Sequence, residues 1–299
     1  MMLKNFGQME QFVREQSGKK RVALAAAHDA DALGSLMMAV DRGIAEAILI
    51  GRRKEIVRVL DEMGKDAGDF RIIEEADDRA AADKAVELVH CGEADMPMKG
   101  LMHTSTFMKA ILDKEKGLKE EGNLLSQASV FEIPEKDRFL IISDCAVNID
   151  PDLETKIKIT ENAAALAHTL GIEQPKIAVL SAVEVVNPKI RSTVDAAAMR
   201  ERLSDRYLID GPLALDNAID EAAAHHKGIE SPVAGNADIL IVPDLWSGNI
   251  FSKGLVFFAH LRSAGTLNGL KAPVVMSSRT DTVENKYLSI LTAVLQTIR

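Results

Sequence analysis

The chain has 299 residues, of which 47% are hydrophobic and 27% are charged, and it carries a net charge of -9. This length exceeds what one hydrophobic core usually supports, so two domains are expected, and the composition is that of an ordinary globular protein. The negative charge argues against a nucleic-acid partner, because phosphate backbones attract a surplus of lysine and arginine.

The sequence also lacks the marks of a secreted or membrane protein. Its two cysteines, Cys91 and Cys145, are too few for a disulfide framework and fit a reducing compartment. No apolar run approaches the roughly 20 residues that cross a bilayer, and the first residues lack the apolar core of a signal peptide. We therefore expect a soluble cytoplasmic protein without a membrane partner.

Short apolar runs alternate with amphipathic stretches along the chain, a pattern typical of βαβ units and parallel sheets. The predicted strands cover residues 21–26, 47–50, 70–73, 95–98, 139–143, 176–180, 207–209, 238–242 and 273–276. The predicted helices cover residues 32–42, 54–62, 78–90, 153–170, 194–203, 215–225, 250–263 and 282–297. Glycines 43, 171 and 265 fall where C-terminal helix caps belong, and the charged stretch 114–122 is expected to be a surface loop.

Polar residues recur where the apolar runs stop. They are Asp29, Lys99, Asp144, Ser181, Asp210, Asp244 and Ser278. In an open parallel sheet these carboxyl-end positions face the ligand crevice. The alternative for each aspartate or serine is a plain helix N-cap, which these residues favour.

Several common signatures are missing from the sequence. Residues 25–29 (AAAHD) replace a Gly-x-Gly-x-x-Gly fingerprint after the first strand, and no Walker A, His-Glu-x-x-His or Cys-x-x-Cys motif occurs. Dinucleotide, nucleotide-hydrolase and zinc functions are therefore disfavoured.

The segment 99–106 (KGLMHTST) is the first candidate site. A strand that runs into glycine and then hydroxyl residues at a helix start offers backbone N–H donors and a helix dipole to an anion. Lys99 and Lys109 would add positive charge, and Gly100, Thr104 and Ser105 would approach the ligand. An ordinary Ser/Thr-capped helix explains the segment equally well, and His103 alone is more typical of a structural histidine.

Ser278 and Arg279, after the apolar run 272–276, form the second candidate. Ser278 and Asp281 match a capping box, which would be a structural role. Arg279 would then lie in the first helical turn, where the dipole disfavours a cation. This position favours a function in gripping an anion, because the guanidinium fork binds phosphate with two hydrogen bonds.

Two further turns place an amide or a carboxylate after a strand. Asp210 begins the sequence DGPL, and Asn249 lies in PDLWSGNI at a predicted helix start, although turn chemistry alone accounts for most of both. Cys145 follows Asp144 at a strand end, but no histidine lies near it in sequence, so a buried inert thiol is expected rather than an acyl-enzyme nucleophile.

Together these segments resemble the phosphate acetyl/butyryltransferase family, most closely its butyryltransferase branch. The resemblance runs from about residue 21 to the C-terminus. It is carried by GEADMPMKGLMHTS at 92–105, DCAVNIDPDLETK at 144–156, GIEQPKIAVLSAVEVVNP at 171–188, DGPLALDNAI at 210–219, KGIESPVAGNADILIVPDLWSGNIFSKGL at 227–255 and APVVMSSRTD at 272–281.

The resemblance implies two α/β domains with an interdomain cleft, similar to isocitrate and isopropylmalate dehydrogenases. The first domain would comprise residues 1–136 with 266–299, and the second residues 137–265. It further implies that acyl-CoA and phosphate are small-molecule substrates, with no bound cofactor, no metal, no covalent intermediate, and a homodimer as the assembly.

The family's Ser-Arg pair falls on Ser278 and Arg279, and its hydroxyl-rich phosphate segment falls on Thr104 and Ser105. In acetyltransferase relatives the serine is thought to hydrogen-bond near the thiol, while the arginine stabilises charge on phosphate or carbonyl. A further arginine of the acetyl branch appears here as Lys109, which keeps the charge and loses the fork.

Three other positions depart from the family's patterns. Asp31 lies near a position where the acetyl branch has an arginine, and 126–127 read Ser-Gln where the butyryl branch often has Ser-His. Asn285 replaces an aspartate proposed as the thiol base and cannot accept a proton. Glu284 and Asp281 are nearby substitutes, although Asp281 is a candidate for helix capping.

The expected chemistry is direct attack of phosphate on a short-chain acyl thioester in a ternary complex, giving butyryl phosphate and CoA from butyryl-CoA. Cations and N–H groups in a water-poor site would hold the phosphate and stabilise the oxyanion. Two alternatives stay open from sequence: a metal-dependent NAD dehydrogenase on a similar fold, and a relative that binds acyl-CoA or acyl phosphate without catalysis.

Overall fold

The computed structural model describes residues 1–16 and 18–299. The helices are α1 Phe6–Glu15, α2 Ala30–Asp41, α3 Arg53–Glu62, α4 Asp78–His90, α5 Thr104–Ile111, α6 Leu153–Thr169, α7 Arg191–Leu203, α8 Leu215–Ile219, α9 Glu221–His226, α10 Leu245–Phe257 and α11 Val283–Gln296. The strands are β1 Lys20–Ala25, β2 Ala45–Gly51, β3 Arg71–Glu74, β4 Met96–Lys99, β5 Ser126–Ile133, β6 Arg138–Ser143, β7 Lys176–Leu180, β8 Leu208–Leu213, β9 Ile239–Ile241 and β10 Ser263–Asn268. Helices and strands alternate around two sheets, which confirms the α/β class.

The chain divides into two compact units. We call Phe6–Asn123 with Ala264–Arg299 the terminal unit, and Leu124–Ser263 with Met1–Asn5 the middle unit. Residues 124–136 lie in the middle unit, whereas the sequence assigned them to the first domain. The reason is that β5 pairs antiparallel with β6, from Ala128 opposite Ser143 to Ile133 opposite Arg138.

The sheet of the terminal unit has the strand order β3-β2-β1-β4, and all its pairs are parallel. The β1 segment from Val22 to Ala25 is fully buried, as expected of a parallel strand covered on both faces. Helix α11 packs against α1 and α2, and its residues from Asn285 to Leu295 are all buried. The strand order places a topological switch between β1 and β4, where α/β folds tend to bind ligands.

In the middle unit, strands follow the order β5-β6-β9-β7-β8, and β6, β9, β7 and β8 are parallel. Its core joins the inner faces of β6, β7 and β9 to Phe131 and to the apolar side of α10, which contributes Phe251 and Leu255. The carboxyl ends of β7 and β9 lead into Ser181 and Asp244, respectively.

Several predicted elements shift in the structure. Helix α10 begins at Leu245, five residues earlier than predicted, because Asp244 caps it by accepting the N–H of Ser247 (2.8 Å). It ends at Phe257, and Gly265 lies in β10 instead of at a helix end. The predicted helix 215–225 is divided at Asp220, which caps α9. The predicted strand 273–276 is reduced to isolated bridges at Val274 and Val275.

Within the described ranges 1–16 and 18–299, no helix is both long enough and apolar enough to span a membrane.

Candidate functional site

The two candidate segments of the terminal unit, 99–106 and 277–281, each follow an extended stretch of chain, and these two stretches are neighbours. The N–H of Lys99, at the end of β4, donates to the carbonyl of Val275 (3.0 Å), and the N–H of Val275 donates to the carbonyl of Pro97 (3.0 Å). Because this pairing is parallel, the chain after Val275 and the chain after Lys99 continue in the same direction. Residues 277–281 and 100–105 therefore emerge at the same edge.

Gly100 makes this edge compact. Its N–H donates to the carbonyl of Ala25 (2.8 Å), and a Cβ built at this position would lie 2.3 Å from the carbonyl oxygen of Ala26. No side chain fits at that distance, so glycine is required for β4 to turn against the end of β1. The predicted close approach at Gly100 is to the protein's own backbone.

Helix α5 begins directly after this turn. His103 occupies its N-cap position without a capping hydrogen bond from its side chain, and Thr104 and Ser105 are exposed in the first turn. A helix start of this kind offers N–H groups and a positive dipole end to an anion.

Arg279 reaches this helix start. Its Nη2 donates to Nδ1 of His103 (3.2 Å) and lies 3.5 Å from the carbonyl oxygen of Met102. The guanidinium contact requires Nδ1 of His103 to be an acceptor. The structure thus brings Arg279 to the start of the helix that carries Thr104 and Ser105, and a shared anion site at these residues stays a prediction.

The turn that carries Arg279 differs from the predicted capping box. The carboxylate of Asp281 accepts the N–H of Ser278 (2.7 Å), but α11 begins later, and Thr282 caps it by accepting the N–H of Asn285 (3.1 Å). Arg279 precedes the helix, so its predicted place in the first helical turn, opposing the dipole, was wrong. Ser278 and Arg279 are both exposed in this turn.

Lys99 contributes a buried cation. Its side chain is 4% exposed, and Nζ donates to the carbonyl of Gly100 (3.2 Å). In the part of the chain that the structure describes, no carboxylate lies within ion-pair distance of this ammonium. Burial lowers the pKa of Lys99, and the positive charges of Arg279 and Lys286 lower it further, against the opposing influence of Asp29 and Asp281.

Lys286 is a second buried lysine of the terminal unit and was not among the candidates predicted from sequence. It is 3% exposed, and its Nζ donates to the carbonyl of Asp281 and, over 3.4 Å, to that of Arg279. A sequence signal existed, since Lys286 is the only charged residue in the run from Asn285 to Leu295. A lysine in a fully buried helix is rare without a specific reason.

The other candidates of the terminal unit are more peripheral. Glu284 is exposed in the first turn of α11, Lys109 is exposed in the last turn of α5, and Asp31 is exposed in the first turn of α2. Asp31 follows Asp29, which caps α2 by accepting the N–H of Asp31 (3.3 Å). Both acidic residues are therefore favourable to the dipole of that helix.

Asp144, in the middle unit, is buried and engaged with its own loop. Its carboxylate accepts the backbone N–H groups of Gln127, Ala146, Val147 and Asn148, and also the side-chain amide of Asn148 (2.6 Å). These contacts use its acceptor capacity to fix the loop after β6. This geometry favours a structural role for Asp144.

Asp210 and Asn249 also hold protein groups. Strand β8 continues to Leu213, so Asp210 lies within it instead of at its carboxyl end, and its carboxylate accepts from Arg200 (3.3 Å) and from the N–H of Gly211 (2.8 Å). The side chain of Asn249 donates to the carbonyl of Cys145 (3.1 Å). Burial raises the pKa of the Cys145 thiol, followed by the charge of Asp144, which is consistent with the inert thiol expected there.

A pocket of about 610 Å³ opens in the middle unit at the carboxyl ends of β7 and β9, a size that suits a small molecule. Its cations are already neutralised: Lys156 pairs with Asp195 (2.6 Å), and Arg191 pairs with Asp195 (3.3 Å) and Asp150 (3.2 Å). Apolar side chains, the hydroxyl pair of Ser181 and Ser192 (2.7 Å), and the capping pair Asp244 and Ser247 also line it. Among the described residues, both cations that line this pocket are therefore paired with carboxylates.

Comparison with known families identifies one match. The family model described as phosphate acetyl/butaryl transferase matches residues 69–294. This range includes every candidate residue discussed above from Lys99 to Lys286.

Individual relatives cover nearly the whole chain. A phosphate butyryltransferase from Clostridium acetobutylicum is 46% identical over 98% of this chain and 98% of its own. A phosphate acetyltransferase from Thermotoga maritima is 42% identical over 94% of this chain and 97% of its own. Among solved structures, a branched-chain phosphotransacylase from Enterococcus faecalis V583 superposes with a TM-score of 0.83 at 35% identity, covering 93% of this chain and 98% of that protein.

Proposed function

The chain belongs to the phosphate acetyl/butyryltransferase family, and on this premise we propose that it transfers a butyryl-type acyl group from coenzyme A to inorganic phosphate. Phosphate acyltransferase activity follows from membership of the family and from relatives that match over nearly their full length. The choice of butyryl over acetyl, the order of events and the roles of individual residues are the parts that we propose.

The observation that carries the proposed site is the grouping of cations at the start of α5. Lys99 is buried without a carboxylate partner among the described residues, and Arg279 lies against His103 at an uncapped helix end. Such a grouping is unfavourable by itself and becomes favourable when a phosphate dianion enters it.

In the proposed ternary complex, Lys99 and Arg279 bind the phosphate, and Thr104 and Ser105 donate to it from the first turn of α5. Gly100 and His103 shape the entrance of this helix, and Lys109 adds a more distant charge. A phosphate oxygen attacks the thioester carbonyl, Arg279 stabilises the oxyanion, and collapse breaks the C–S bond. The CoA thiolate leaves readily because thiols have a pKa of about 8.5. The proton that hydrogen phosphate loses on becoming the acyl phosphate passes through solvent to the thiolate, so that the products are acyl phosphate and the CoA thiol.

Ser278 and Glu284 are proposed to act at the thiol. The hydroxyl of Ser278 is exposed beside Arg279 and would hydrogen-bond near the sulfur. In the reverse direction Glu284 would accept the thiol proton, since Asn285 at the next position is an amide and cannot do so. Asp144, Asp210 and Asn249 stay predicted substrate contacts, although their observed bonds favour a role in holding the main chain.

A thiol-release assay tests this function and separates it from its two rivals. Free CoA should appear from butyryl-CoA only when phosphate is present, with butyryl phosphate as the second product. Binding without phosphate-dependent release would instead support a non-catalytic relative, and reduction of NAD would support a dehydrogenase. Specificity constants for acetyl-, propionyl-, butyryl- and isovaleryl-CoA would define the acyl preference, for which one methylene contributes about 1–3 kcal/mol.

The proposed homodimer is supported by an exposed apolar face on α10. Trp246 (58% exposed) and Ile250 (71%) lie on one side of this helix, with Phe257 (52%) two further turns along, and Phe258 directly after the helix is 91% exposed. Large exposed apolar surfaces of this kind are typical of interfaces between subunits. The cytoplasmic location and the likeness to isocitrate dehydrogenase with its interdomain cleft stay predictions.

Ile250→Asp is expected to shift the wild-type dimer towards monomer, because a carboxylate buried in an apolar interface loses its hydration. Sedimentation velocity at micromolar concentration would measure the distribution. The fluorescence of Trp246, the only tryptophan in the sequence, should shift to longer wavelength on dissociation. Val185→Asp, at an exposed apolar residue outside α10, serves as the control and should remain dimeric. A wild-type monomer would contradict the proposal.

A further inference from the structure

Lys286 lies in a helix that is otherwise suited to complete burial. Every residue of α11 from Asn285 to Leu295 is buried, and Lys286 is the only one of them with a charged side chain. Removing an ammonium group from water is costly unless its surroundings compensate for the lost hydration. The position of this lysine therefore requires a compensating role.

The contacts of Lys286 replace hydrogen bonds that its ammonium group would make to water, but they do not neutralise its charge. Two donors of its ammonium reach the carbonyls of Asp281 and Arg279, which join the start of α11 to the turn that carries Ser278 and Arg279. In the ranges 1–16 and 18–299, no carboxylate forms an ion pair with Lys286. An ammonium has three N–H donors, so one of them is not used by these two carbonyls.

Lys286 contacts the turn that carries Arg279, and its positive charge, like that of Arg279, lowers the pKa of Lys99. The carboxylates that act on Lys99 in the opposite sense, Asp29 and Asp281, are each bound elsewhere: Asp29 caps α2, and Asp281 accepts the N–H of Ser278. Three cations thus converge at this edge with their nearby carboxylates engaged in main-chain contacts.

We propose, on the basis of the function proposed above, that Lys286 is a positioning residue for the phosphate substrate. By holding the carbonyls of Arg279 and Asp281, it fixes the turn from which Arg279 reaches the substrate. Its positive charge adds to those of Lys99 and Arg279, and binding of the phosphate dianion neutralises most of this charge. A lysine that only tethers the turn would affect stability and turnover without a preference for phosphate.

Lys286→Met tests this role, because it keeps the length of the side chain and removes both the charge and the donors. The KM for phosphate, measured by thiol release at saturating butyryl-CoA, should rise about tenfold or more, in line with the loss of a charge-assisted hydrogen bond. The KM for butyryl-CoA should stay within about twofold of the wild-type value. Lys54→Met removes an exposed lysine from α3 of the same unit and should leave both constants unchanged.

A folded Lys286→Met variant with an unaltered KM for phosphate would overturn the proposal, as would equal changes in the KM values of both substrates. If thermal unfolding shows that this variant does not fold, Lys286→Gln decides by the same criteria, because it retains an N–H donor without the charge. Absence of phosphate-dependent release by the wild-type protein would instead remove the proposed function, so the two failures are distinguishable.

Discussion

Arg279→Ala is expected to lower turnover at least about 100-fold, the usual scale for losing one preorganised electrostatic contact to a transition state. The guanidinium is the cation that lies at the start of α5, where Thr104 and Ser105 are exposed. Its loss should affect the oxyanion more than the bound substrate, so turnover should fall more than the KM values rise. Steady-state rates of thiol release from butyryl-CoA would measure both.

This loss should occur without loss of the fold. Arg279 is exposed, and within the described part of the chain the hydrogen bonds of its side chain go to His103 and the carbonyl of Met102. The midpoint of thermal unfolding should therefore stay close to that of the wild type. Arg279→Lys should recover part of the rate, because it restores charge but not the fork. Arg58→Ala, at an exposed ion pair on α3, is the matched control, and turnover of Arg279→Ala within threefold of wild type would remove Arg279 from the mechanism.

Lys99→Met is expected to abolish most phosphate binding while making the protein more stable. The buried ammonium has a lowered pKa, chiefly through burial and then through the charge of Arg279, so its charged form is disfavoured in the folded state. Methionine fills a similar volume without a charge, and it removes this cost. Turnover should fall about 100-fold or more, since an electrostatic contact to the reacting phosphate is lost.

The difference in stability between Lys99→Met and the wild type should depend on pH in a definite direction. Because the pKa of Lys99 is lower in the folded than in the unfolded chain, its charge costs stability at every pH below the folded pKa. That cost declines as pH rises from the folded pKa towards the ordinary lysine value. The variant should therefore unfold at a higher temperature than the wild type at pH 7, and the difference should narrow in alkaline solution.

Phosphate itself supplies the second measurement. A ligand that binds only the folded state raises its unfolding temperature, so phosphate should stabilise the wild type and have little effect on Lys99→Met. The Lys54→Met protein should respond to phosphate as the wild type does. Destabilisation of Lys99→Met at pH 7 together with an unchanged response to phosphate would contradict the role assigned to Lys99. The buried charge of Lys99 would then lower the stability of the phosphate-free protein while serving phosphate binding, which is a common trade-off between function and stability.

Much of the fold was predictable because the parallel strands are buried on both faces and therefore appear as continuous apolar runs. Strand β5 was missed for the opposite reason. Its buried residues Ser126, Gln127 and Ser129 are polar, and hydrogen bonds satisfy them, such as the one that Asn162 donates to Ser126 (2.8 Å). Helix α1 was also missed, although Phe6, Met9 and Val13 have helical spacing, because only these three of its ten residues form the buried face.

Some residues of the candidate site could be predicted from local sequence signals, whereas others depend on contacts that form only in the folded chain. Strand ends and hydroxyl residues identified Lys99, Thr104, Ser105 and Arg279, because these signals lie within short segments. The capping box that placed Arg279 in a helix began α11 four residues too early, since both Ser278 and Thr282 are suitable caps and only the folded chain selects Thr282. Lys286 could not be assigned a role from sequence, because its partners are main-chain carbonyls whose positions depend on that turn.

The pairing of Val275 with Pro97 and Lys99 has a consequence for biosynthesis. A ribosome releases the segment with β4 and α5 well before it makes the segment with Val275 and α11, and the middle unit is synthesised in the interval. The nascent chain thus holds an incomplete sheet edge and an unfinished anion site while a whole unit emerges and folds. A released chain that ends at Ser263 should therefore contain a folded middle unit attached to a protease-sensitive remainder.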